Sequence, residues 1–243
     1  MTNATASSLS AATRDKLSRI SAATIATQLF KRGIRRAFMV GVVPMTEDQK
    51  GFVGEAFTMR HIASREDVDT IESLRDPNNL QVVAVETIPP GHVLVIDSRY
   101  DTSAASMGDM LVTRLKVRGA AAVITDGAFR DGPVIAELGL PAYARASNAN
   151  TRVTSFHVAD LQTPISCAGV AVYPGDVLVG DREGVIVIPK DMADSIAEDG
   201  LEQEEMEAWI QKKILAGAPL PGTYPPPECV KEEYRRLKAE SKL

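Results

Sequence analysis

The 243-residue chain is poor in cysteine and in aromatic residues, with two Cys, one Trp and 5% aromatic residues in all. Two cysteines, Cys167 and Cys229, cannot build a disulfide framework, which favours a reducing cytoplasm. No run approaches the roughly 18 apolar residues of a membrane-spanning helix, and the N-terminal segment lacks the basic patch and apolar core of a secretory signal. We therefore expect a cytoplasmic protein with no membrane partner.

Net charge is also low, at −5, and its distribution is uneven. Residues 1–190 hold 20 basic and 20 acidic side chains, whereas residues 191–243 hold 7 basic and 12 acidic ones. An acidic balance with few aromatic residues argues against a nucleic-acid partner. We predict one body over residues 1–190 and a helical arm over residues 191–243, which packs on that body or on a neighbouring subunit.

Acidic residues crowd the start of the predicted arm, where eight of them occur with no Lys or Arg among them. They are Asp191, Asp194, Glu198, Asp199, Glu202, Glu204, Glu205 and Glu207. A solvated face at the start of a helix explains such a group, since acids suit the positive end of the helix dipole. The alternative is that one of these carboxylates reaches a functional site.

Apolar periodicity divides the first two thirds of the chain into helices and strands. It predicts a helix over residues 8–33, with Ser21 as a candidate N-cap, and then two strands, 35–45 and 51–59, around a polar turn. Strands and helices then alternate: strand 92–97, helix 108–119, strand 121–127, helix 132–140 and strand 141–145. This alternation is typical of right-handed βαβ crossovers and a parallel sheet.

The pattern changes after residue 150 to short apolar segments separated by turn residues, which predict an antiparallel meander. These segments are 155–161, 164–173, 176–181 and 184–189. A helix over about 191–215, a link rich in Pro and Gly, and a final charged helix complete the chain. The predicted fold class is α/β, with a parallel central sheet, an antiparallel β layer and a helical C-terminal arm.

Two polar, Gly-containing segments follow predicted parallel strands, where open α/β sheets bind their ligands. In the first, the backbone N–H groups of Gly108 to Leu111 open a helix and can bind a carboxylate. In the second, Arg130 can bind a carboxylate or an enolate oxygen, and Asp131 is a hard oxygen ligand suited to Mg²⁺ or Mn²⁺. The alternatives are an N-cap role for Asp131, a helix-dipole role for Asp109 and a surface ion pair for Arg130.

These residues resemble the signature of the RraA-like family, which includes the 4-hydroxy-4-methyl-2-oxoglutarate/4-carboxy-4-hydroxy-2-oxoadipate aldolases. The family hallmark is an Asp, twenty residues and then Arg-Asp, and this chain has Asp109, residues 110–129 and Arg130-Asp131. Flanking segments that match the family pattern are FVGEAFT (52–58), LGLPAYAR (138–145) and PGDVLVGDREGVIVIP (174–189).

The resemblance implies a swivelling β/β/α sandwich that assembles as a homotrimer or homohexamer with its sites at subunit interfaces. It also implies a metal-dependent class II aldolase, active on small 2-oxo acids, with an associated oxaloacetate decarboxylase activity. The implied cofactor is Mg²⁺ or Mn²⁺. As the alternative, the family's namesake binds and inhibits an RNA-degrading endonuclease, so a regulatory protein-binding role without catalysis stays open.

The same resemblance assigns roles to individual residues. The backbone of Gly108, Asp109, Met110 and Leu111 would hold the pyruvyl carboxylate. Arg130 would stabilise the enolate oxygen, Asp131 would anchor the metal, and Asp109 would orient the water that acts as acid or base. A glutamate of a neighbouring subunit, one of Glu202, Glu204 and Glu205, would approach the metal.

The remaining reactive residue types favour structural roles. His61, His92 and His157 show no metal-ligand spacing, and Cys167 lies in an apolar segment. Lys116 is expected on the outer face of its helix, and a Schiff base is not required. Met107, Met110 and Leu111 are interpreted as packing residues.

Overall fold

The computed structural model describes residues 9–46 and 48–241. Several predictions touch residues outside this part: the N-terminal segment over residues 1–8, which includes the first residue of the predicted helix 8–33, Glu47 of the polar turn, and the last two residues of the predicted arm. The helices are α1 (Ala11–Leu17), α2 (Ala22–Lys31), α3 (Leu80–Thr87), α4 (Asp109–Val117), α5 (Gly132–Glu137), α6 (Ala193–Leu215) and α7 (Glu228–Ala239).

The strands are β1 (Val43–Pro44), β2 (Phe52–Ala63), β3 (His92–Asp97), β4 (Ala105–Met107), β5 (Ala122–Thr125), β6 (Ala128–Phe129), β7 (Ala142–Ala144), β8 (Ala146–Ser147), β9 (Phe156–Leu161), β10 (Ile165–Cys167), β11 (Val170–Val172), β12 (Val177–Gly180) and β13 (Val185–Ile188). Short 3₁₀ segments lie at Glu72–Arg75, Arg152–Thr154 and Lys190–Met192.

An eight-stranded mixed sheet forms the centre, in the order β1-β7-β5-β3-β2-β12-β13, with β9 also paired to β2. Its four middle strands, β2, β3, β5 and β7, are parallel neighbours, and α3, α4 and α5 connect them. Antiparallel strands flank this block on both sides. The predicted parallel sheet with βαβ connections is therefore confirmed.

The two faces of the central sheet are covered differently, because successive side chains of a strand point to opposite faces. On β3, Leu94 and Ile96 belong to a buried cluster shared with α3, α4 and α5. Val93 and Val95 belong to a second cluster, shared with the two-stranded sheet β10–β11. The layers are thus helix, central sheet and hairpin, which confirms the predicted α/β fold class with its antiparallel β layer.

The predicted helix 8–33 is two helices. The first ends at its C-cap Ser18, and Ser21 caps the second, its side chain accepting a 3.2 Å hydrogen bond from the N–H of Thr24. Ser and Thr compete for backbone hydrogen bonds inside a helix, so the Ser18–Ser21 stretch breaks it. The candidate N-cap is confirmed, and the continuous helix is wrong.

The predicted strand pair 35–45 and 51–59 is also wrong. Residues 35–45 contribute the two-residue strand β1, which pairs with β7, and a single antiparallel bridge from Phe38 to Ile186 of β13, but no pairing with β2. Gly41, at φ +81°, turns the backbone between the buried side chains of Met39 and Val42, so this apolar run fills the core as a loop. The second strand exists and extends to Ala63.

The strands of the predicted antiparallel meander do not all pair in sequence order; they form three separate pairings. Segment 164–173 is a hairpin and not one strand, because Ala168 and Gly169 both have positive φ, as a two-residue hairpin turn requires. Strand β9 pairs with β2, and the β12–β13 hairpin joins the central sheet through β2.

The acidic start of the arm faces basic side chains of the N-terminal helices. Helix α6 packs against α1 and α2, and the ion pairs are Lys16–Glu198, Arg19–Glu205 and Arg32–Asp199. The interpretation as a solvated face is therefore incomplete, since the missing cations come from another part of the chain. Within the described residues, no helix has the length and apolar character needed to cross a membrane.

Candidate functional site

A small parallel sheet brings the two predicted site segments together. Strands β4 and β6 are parallel neighbours in the three-stranded sheet β4-β6-β8, with Met107 paired to Phe129. Gly108 follows the end of β4, and Arg130 follows the end of β6. Because the carboxyl ends of adjacent parallel strands lie side by side, the twenty residues between Asp109 and Arg130 form one crossover that returns the chain to the same edge.

Asp131 lies at the centre of this edge, in the left-handed backbone conformation at φ 59°. Its Oδ2 atom accepts a 3.1 Å hydrogen bond from Nε of Arg130 and lies 3.5 Å from the backbone N of Asp109. Asp131 occupies the N-cap position of α5, yet its side chain makes no capping hydrogen bond. The carboxylate is therefore held toward the start of α4, and the alternative of a simple N-cap role for Asp131 is wrong.

Gly108 leaves the space that the Asp131 carboxylate fills. A Cβ atom at position 108 would lie 2.8 Å from Oδ2 of Asp131 and 3.0 Å from Cγ of Arg130. The backbone of Gly108 is extended, at φ −122°, so its conformation is open to any residue. Close approach, and not a special backbone conformation, is what requires glycine here.

The backbone N–H groups at the start of α4 are directed at carboxylates. The N–H of Met110 donates a 2.8 Å hydrogen bond to Oδ1 of Asp109, and the N–H of Asp109 donates to Oδ2 of Asp131. These contacts show that the first turn of α4 attracts carboxylate oxygens, as expected from its unpaired donors. Met107 is buried as predicted, whereas Met110 is 74% exposed and is not a packing residue.

A cleft of about 270 Å³ opens over this edge. Its walls are the segment Met107–Leu111, the pair Arg130 and Asp131, the start of α3, and the 3₁₀ segment that contains Arg152. The structure therefore brings Gly108, Asp109, Met110, Leu111, Arg130 and Asp131 to one cavity. Its volume lies below the roughly 300–1,000 Å³ of drug-sized sites, so it suits a small substrate.

Two buried polar residues of the cleft wall were not anticipated from the sequence. Arg152, 4% exposed, donates from Nε to Oε1 of Gln81 at 3.1 Å and from Nη1 to the carbonyl of Phe156 at 2.7 Å. Gln81 in turn donates to the carbonyl of Ser106 at 2.7 Å. Burial lowers the pKa of Arg152, and the charge of Asp69, 3.9 Å away, opposes that shift. Neither residue belongs to a local motif, so no sequence signal marks them.

Within this chain, the three candidate glutamates have partners on neighbouring helices. Glu202 and Glu205 form ion pairs with Lys238 of α7. Glu204 accepts hydrogen bonds from the backbone N (3.3 Å) and the Oγ (3.0 Å) of Ser21. None of the three lines the cleft of their own subunit, so any contribution of theirs concerns a neighbouring subunit.

The other reactive side chains have the structural surroundings predicted for them. His61 is buried, stacks on Phe156 at 5.1 Å, and has a pKa lowered to about 3, chiefly by burial. His157 contacts the buried carboxylate of Asp69 through Nδ1 at 2.9 Å. Cys167 is fully buried, and burial raises the pKa of its thiol. Lys116 is exposed on α4.

The donor set at the cleft fits Mg²⁺ better than a metal held by a full protein cage. Among the described residues, no group of three or more His, Cys, Asp or Glu side chains could hold a metal ion. Mg²⁺ is commonly bound by one or two carboxylates, with waters and substrate oxygens completing its shell. The Asp131 carboxylate, turned into the cleft and not used as a cap, is a suitable anchor for such an ion.

Comparison with protein families gives a match over most of the chain. The RraA-like model, described as Aldolase/RraA, matches residues 22–187. A protein of Halalkalibacterium halodurans named "Putative 4-hydroxy-4-methyl-2-oxoglutarate aldolase" is 34% identical over 145 residues, which are 57% of this chain and 68% of that protein.

Solved structures with the same fold cover nearly the whole chain. An uncharacterized protein from Pseudomonas syringae pv. tomato superposes with a TM-score of 0.77 at 19% identity, over 89% of this chain and 98% of that one. Streptomyces coelicolor RraAS2, described as an unusual member of the RNase ES inhibitor RraA protein family, gives a TM-score of 0.76 at 29% identity, over 84% and 98%.

Proposed function

Because the chain belongs to the RraA-like family, we propose that it is a divalent-metal-dependent lyase that releases pyruvate from 4-hydroxy-2-oxo acids or oxaloacetate. The single observation that carries this proposal is the convergence of Asp109, Arg130 and Asp131 on one small cleft. These three side chains combine an anion-binding cation with two carboxylates at a helix start. The relative at 34% identity, named "Putative 4-hydroxy-4-methyl-2-oxoglutarate aldolase", supports the same reaction class.

Each residue has a role that its position in the cleft supports. The N–H groups from Gly108 to Leu111 bind the carboxylate of the 2-oxo acid, as the donors of a helix start do. Those of Asp109 and Met110 already contact carboxylate oxygens, of Asp131 and Asp109. Arg130, with its side chain 43% exposed at the cleft, meets the negative charge that develops on the C2 oxygen when the C3–C4 bond breaks.

Proton transfer completes the reaction in both cases. In aldol cleavage the 4-hydroxyl loses its proton, the C3–C4 electrons move toward the C2 oxygen, and the resulting enolate takes a proton at C3 to give pyruvate. In decarboxylation CO₂ leaves instead, and only the protonation at C3 is needed. Asp109, whose carboxylate lies at the start of α4, orients the water that exchanges these protons.

Asp131 would hold the Mg²⁺ or Mn²⁺ ion. When bound, such an ion supplies Lewis-acid polarisation of the keto group and aligns the substrate through its oxygens. A glutamate of a neighbouring subunit, from Glu202, Glu204 and Glu205, completes this site in a homotrimer or homohexamer. Size-exclusion chromatography with light scattering measures the oligomeric state directly.

A coupled assay for pyruvate release tests the function. Wild-type protein is given oxaloacetate or 4-hydroxy-4-methyl-2-oxoglutarate with Mg²⁺, and the measurement is repeated with EDTA and with the Arg130→Ala variant. We expect turnover that EDTA and the substitution both abolish. Metal-independent turnover, or wild-type turnover no faster than that of Arg130→Ala, contradicts the proposal.

A protein-binding role is the second candidate, and the likeness to Streptomyces coelicolor RraAS2 at 29% identity favours it. In that case the chain would bind an RNA-degrading endonuclease and lower its activity. A pull-down of the host's endonuclease, with bound protein assayed for inhibition of RNA cleavage, tests this role. Absence of a complex would remove it, whatever the outcome of the pyruvate assay.

A further inference from the structure

The charged residues that line the cleft are not all used by the proposed reaction. Four lining residues carry charge: Asp109, Arg130, Asp131 and Arg152. The first three are assigned to the keto acid end of the substrate and to the metal. Arg152 is the remaining cation of the cleft wall within the described residues, and it comes from a different segment of the chain.

Arg152 is fixed in position but incompletely paired. Of its five N–H groups, one donates to Gln81 and one to the carbonyl of Phe156, and no other hydrogen bond from it to a described residue is formed. None of its nitrogens is among the buried atoms without a partner. Nη2, which makes no hydrogen bond to a described residue, therefore keeps contact with solvent, and Arg152 lines both this cleft and a second one beside Asp69 and His157.

Asp69 does not complete this pairing. Its Oδ1 atom contacts Nδ1 of His157 at 2.9 Å, and its Oδ2 atom accepts a 3.0 Å hydrogen bond from the backbone N of Arg65. The distance from Oδ1 to Nη1 of Arg152 is 3.9 Å, which is longer than a hydrogen bond. Asp69 lowers the cost of burying the guanidinium and forms no hydrogen bond with its Nη2 atom.

We propose that Arg152 binds a second carboxylate of the substrate, at the end remote from the keto group, and so selects dicarboxylic over monocarboxylic 2-oxo acids. This inference rests on the proposed function, because it assumes that the keto acid end lies at Gly108–Leu111 and Arg130. The unpaired Nη2 of the guanidinium can donate a charge-assisted hydrogen bond to a carboxylate. Held by Gln81 and Phe156, the guanidinium is ordered before the ligand arrives.

A matched pair of ligands isolates this contact. 2-Oxoglutarate and 2-oxopentanoate share the 2-oxo acid group and the chain length, and they differ by a terminal carboxylate against a methyl group. Calorimetric titration of the full chain with each ligand, in the presence of Mg²⁺, should show about 10- to 100-fold tighter binding of 2-oxoglutarate, the range expected for a charge-assisted hydrogen bond.

Substitutions at position 152 then test the residue. Arg152→Gln should bring the affinity ratio close to one by weakening 2-oxoglutarate alone, and Arg152→Lys should keep part of the preference. Arg118→Gln is the control, since Arg118 also donates to a backbone carbonyl, that of Ile88, but lies outside the cleft. It should leave the ratio at its wild-type value.

Several outcomes would overturn the inference. If the wild-type protein binds 2-oxoglutarate and 2-oxopentanoate equally well, the inference is wrong, and this result does not depend on whether Arg152→Gln folds. Equal weakening of both ligands in Arg152→Gln assigns the residue a structural role only, and absence of binding by either ligand removes the inference as well. The pyruvate assay separates the two proposals: turnover with a ratio near one leaves the proposed function intact, and a high ratio without turnover leaves only the binding assignment.

Discussion

The Oδ2 atom of Asp131 lies 3.5 Å from the backbone nitrogen of Asp109, the residue that precedes it by twenty-two positions. This contact joins the start of α4 to the start of α5 across two parallel strands. It places a carboxylate where the helix dipole and the unpaired N–H groups of α4 favour negative charge. The same carboxylate remains beside a cation, Arg130, so the edge combines anion binding with an anchor for a cation.

Asp131→Asn should abolish the metal-dependent activity while keeping the fold. Asn tolerates the left-handed conformation at φ 59° as well as Asp does, so the backbone is not strained. Removing the charge takes away the proposed metal anchor, and we expect pyruvate release to fall on the order of 100-fold. Activity measured against Mg²⁺ concentration, together with calorimetric titration of Mg²⁺, checks this prediction.

Asp67→Asn is the matched control, since Asp67 is an exposed carboxylate paired with Arg65 outside the cleft. It should retain wild-type turnover and Mg²⁺ affinity. If Asp131→Asn binds Mg²⁺ as tightly as wild type, the metal is anchored elsewhere and the assignment of Asp131 fails.

Gly108→Ala should displace the Asp131 carboxylate without unfolding the protein. The added Cβ would lie 2.8 Å from Oδ2 of Asp131, which is closer than real contacts allow, whereas the extended backbone at position 108 accepts alanine. A displacement near 1 Å at a reacting centre costs about 100-fold in rate. We expect a raised Mg²⁺ requirement and a rate loss of that order in the pyruvate assay.

Val117→Ala tests whether a substitution elsewhere on α4 also lowers the rate. Val117 lies in the last turn of the same helix and is 70% exposed. Its activity and thermal midpoint should equal those of wild type. Wild-type activity in Gly108→Ala would show that the close approach of Asp131 is not required for turnover.

The sequence predicted the residues of this site that belong to one crossover. The predicted parallel strands 92–97 and 121–127 precede Asp109 and the pair Arg130 and Asp131, and the rule that parallel strands end at the same edge brings these residues together. The short strands β4 and β6, which directly precede the site residues in a second sheet, were not predicted. Arg152 could not be predicted in this way. Its place in the cleft depends on how the segment after β8 packs on α3, which no local spacing records.

Long-range pairing also explains the errors in the fold prediction. Segment 35–45 has the apolar residues of a strand, yet its partners are distant in sequence. Val43–Pro44 pairs with β7, about a hundred residues later, and Phe38 bridges to β13. The acids of α6 resembled a solvated face because their cations lie on α1 and α2, well separated in the sequence. Local patterns predicted most helices and strands, but the strand partners and the ion-pair partners depend on contacts between distant parts of the chain.

Ser21→Ala should destabilise the protein through the start of α2. The Ser21 side chain accepts a hydrogen bond from the N–H of Thr24, and its Oγ also donates to Glu204 on α6 at 3.0 Å. Loss of a serine N-cap costs about 1 kcal/mol. Urea unfolding at pH 7 should show at least this decrease in the free energy of unfolding.

Ser18→Ala provides the comparison. Ser18 is the C-cap of α1 and is exposed, and its hydroxyl donates to the carbonyl of Asp15. Exposed substitutions of this kind stay within about 0.5 kcal/mol of wild type. Equal effects of the two substitutions would mean that the capping and bridging role of Ser21 does not stabilise the fold.

His61 should make the protein less stable as pH falls. Burial lowers its pKa from 6.5 to about 3 in the folded chain, so below pH 6.5 the unfolded chain binds a proton that the folded chain does not. The free energy of unfolding therefore decreases from pH 6.5 toward pH 3. Between pH 7 and pH 5 the contribution of this one group is about 2 kcal/mol.

His61→Phe tests this contribution, because it keeps a ring stacked on Phe156 and removes the buried Nε2 atom that lacks a hydrogen-bond partner. Urea unfolding at pH 7 and pH 5 measures how far the free energy of unfolding decreases between these pH values. This decrease should be about 2 kcal/mol smaller in the variant than in the wild-type protein. His92→Gln, at a partly exposed histidine, controls for the loss of any imidazole. An unchanged loss in His61→Phe would contradict the lowered pKa, because His61 would then bind its proton equally in the folded and unfolded chains.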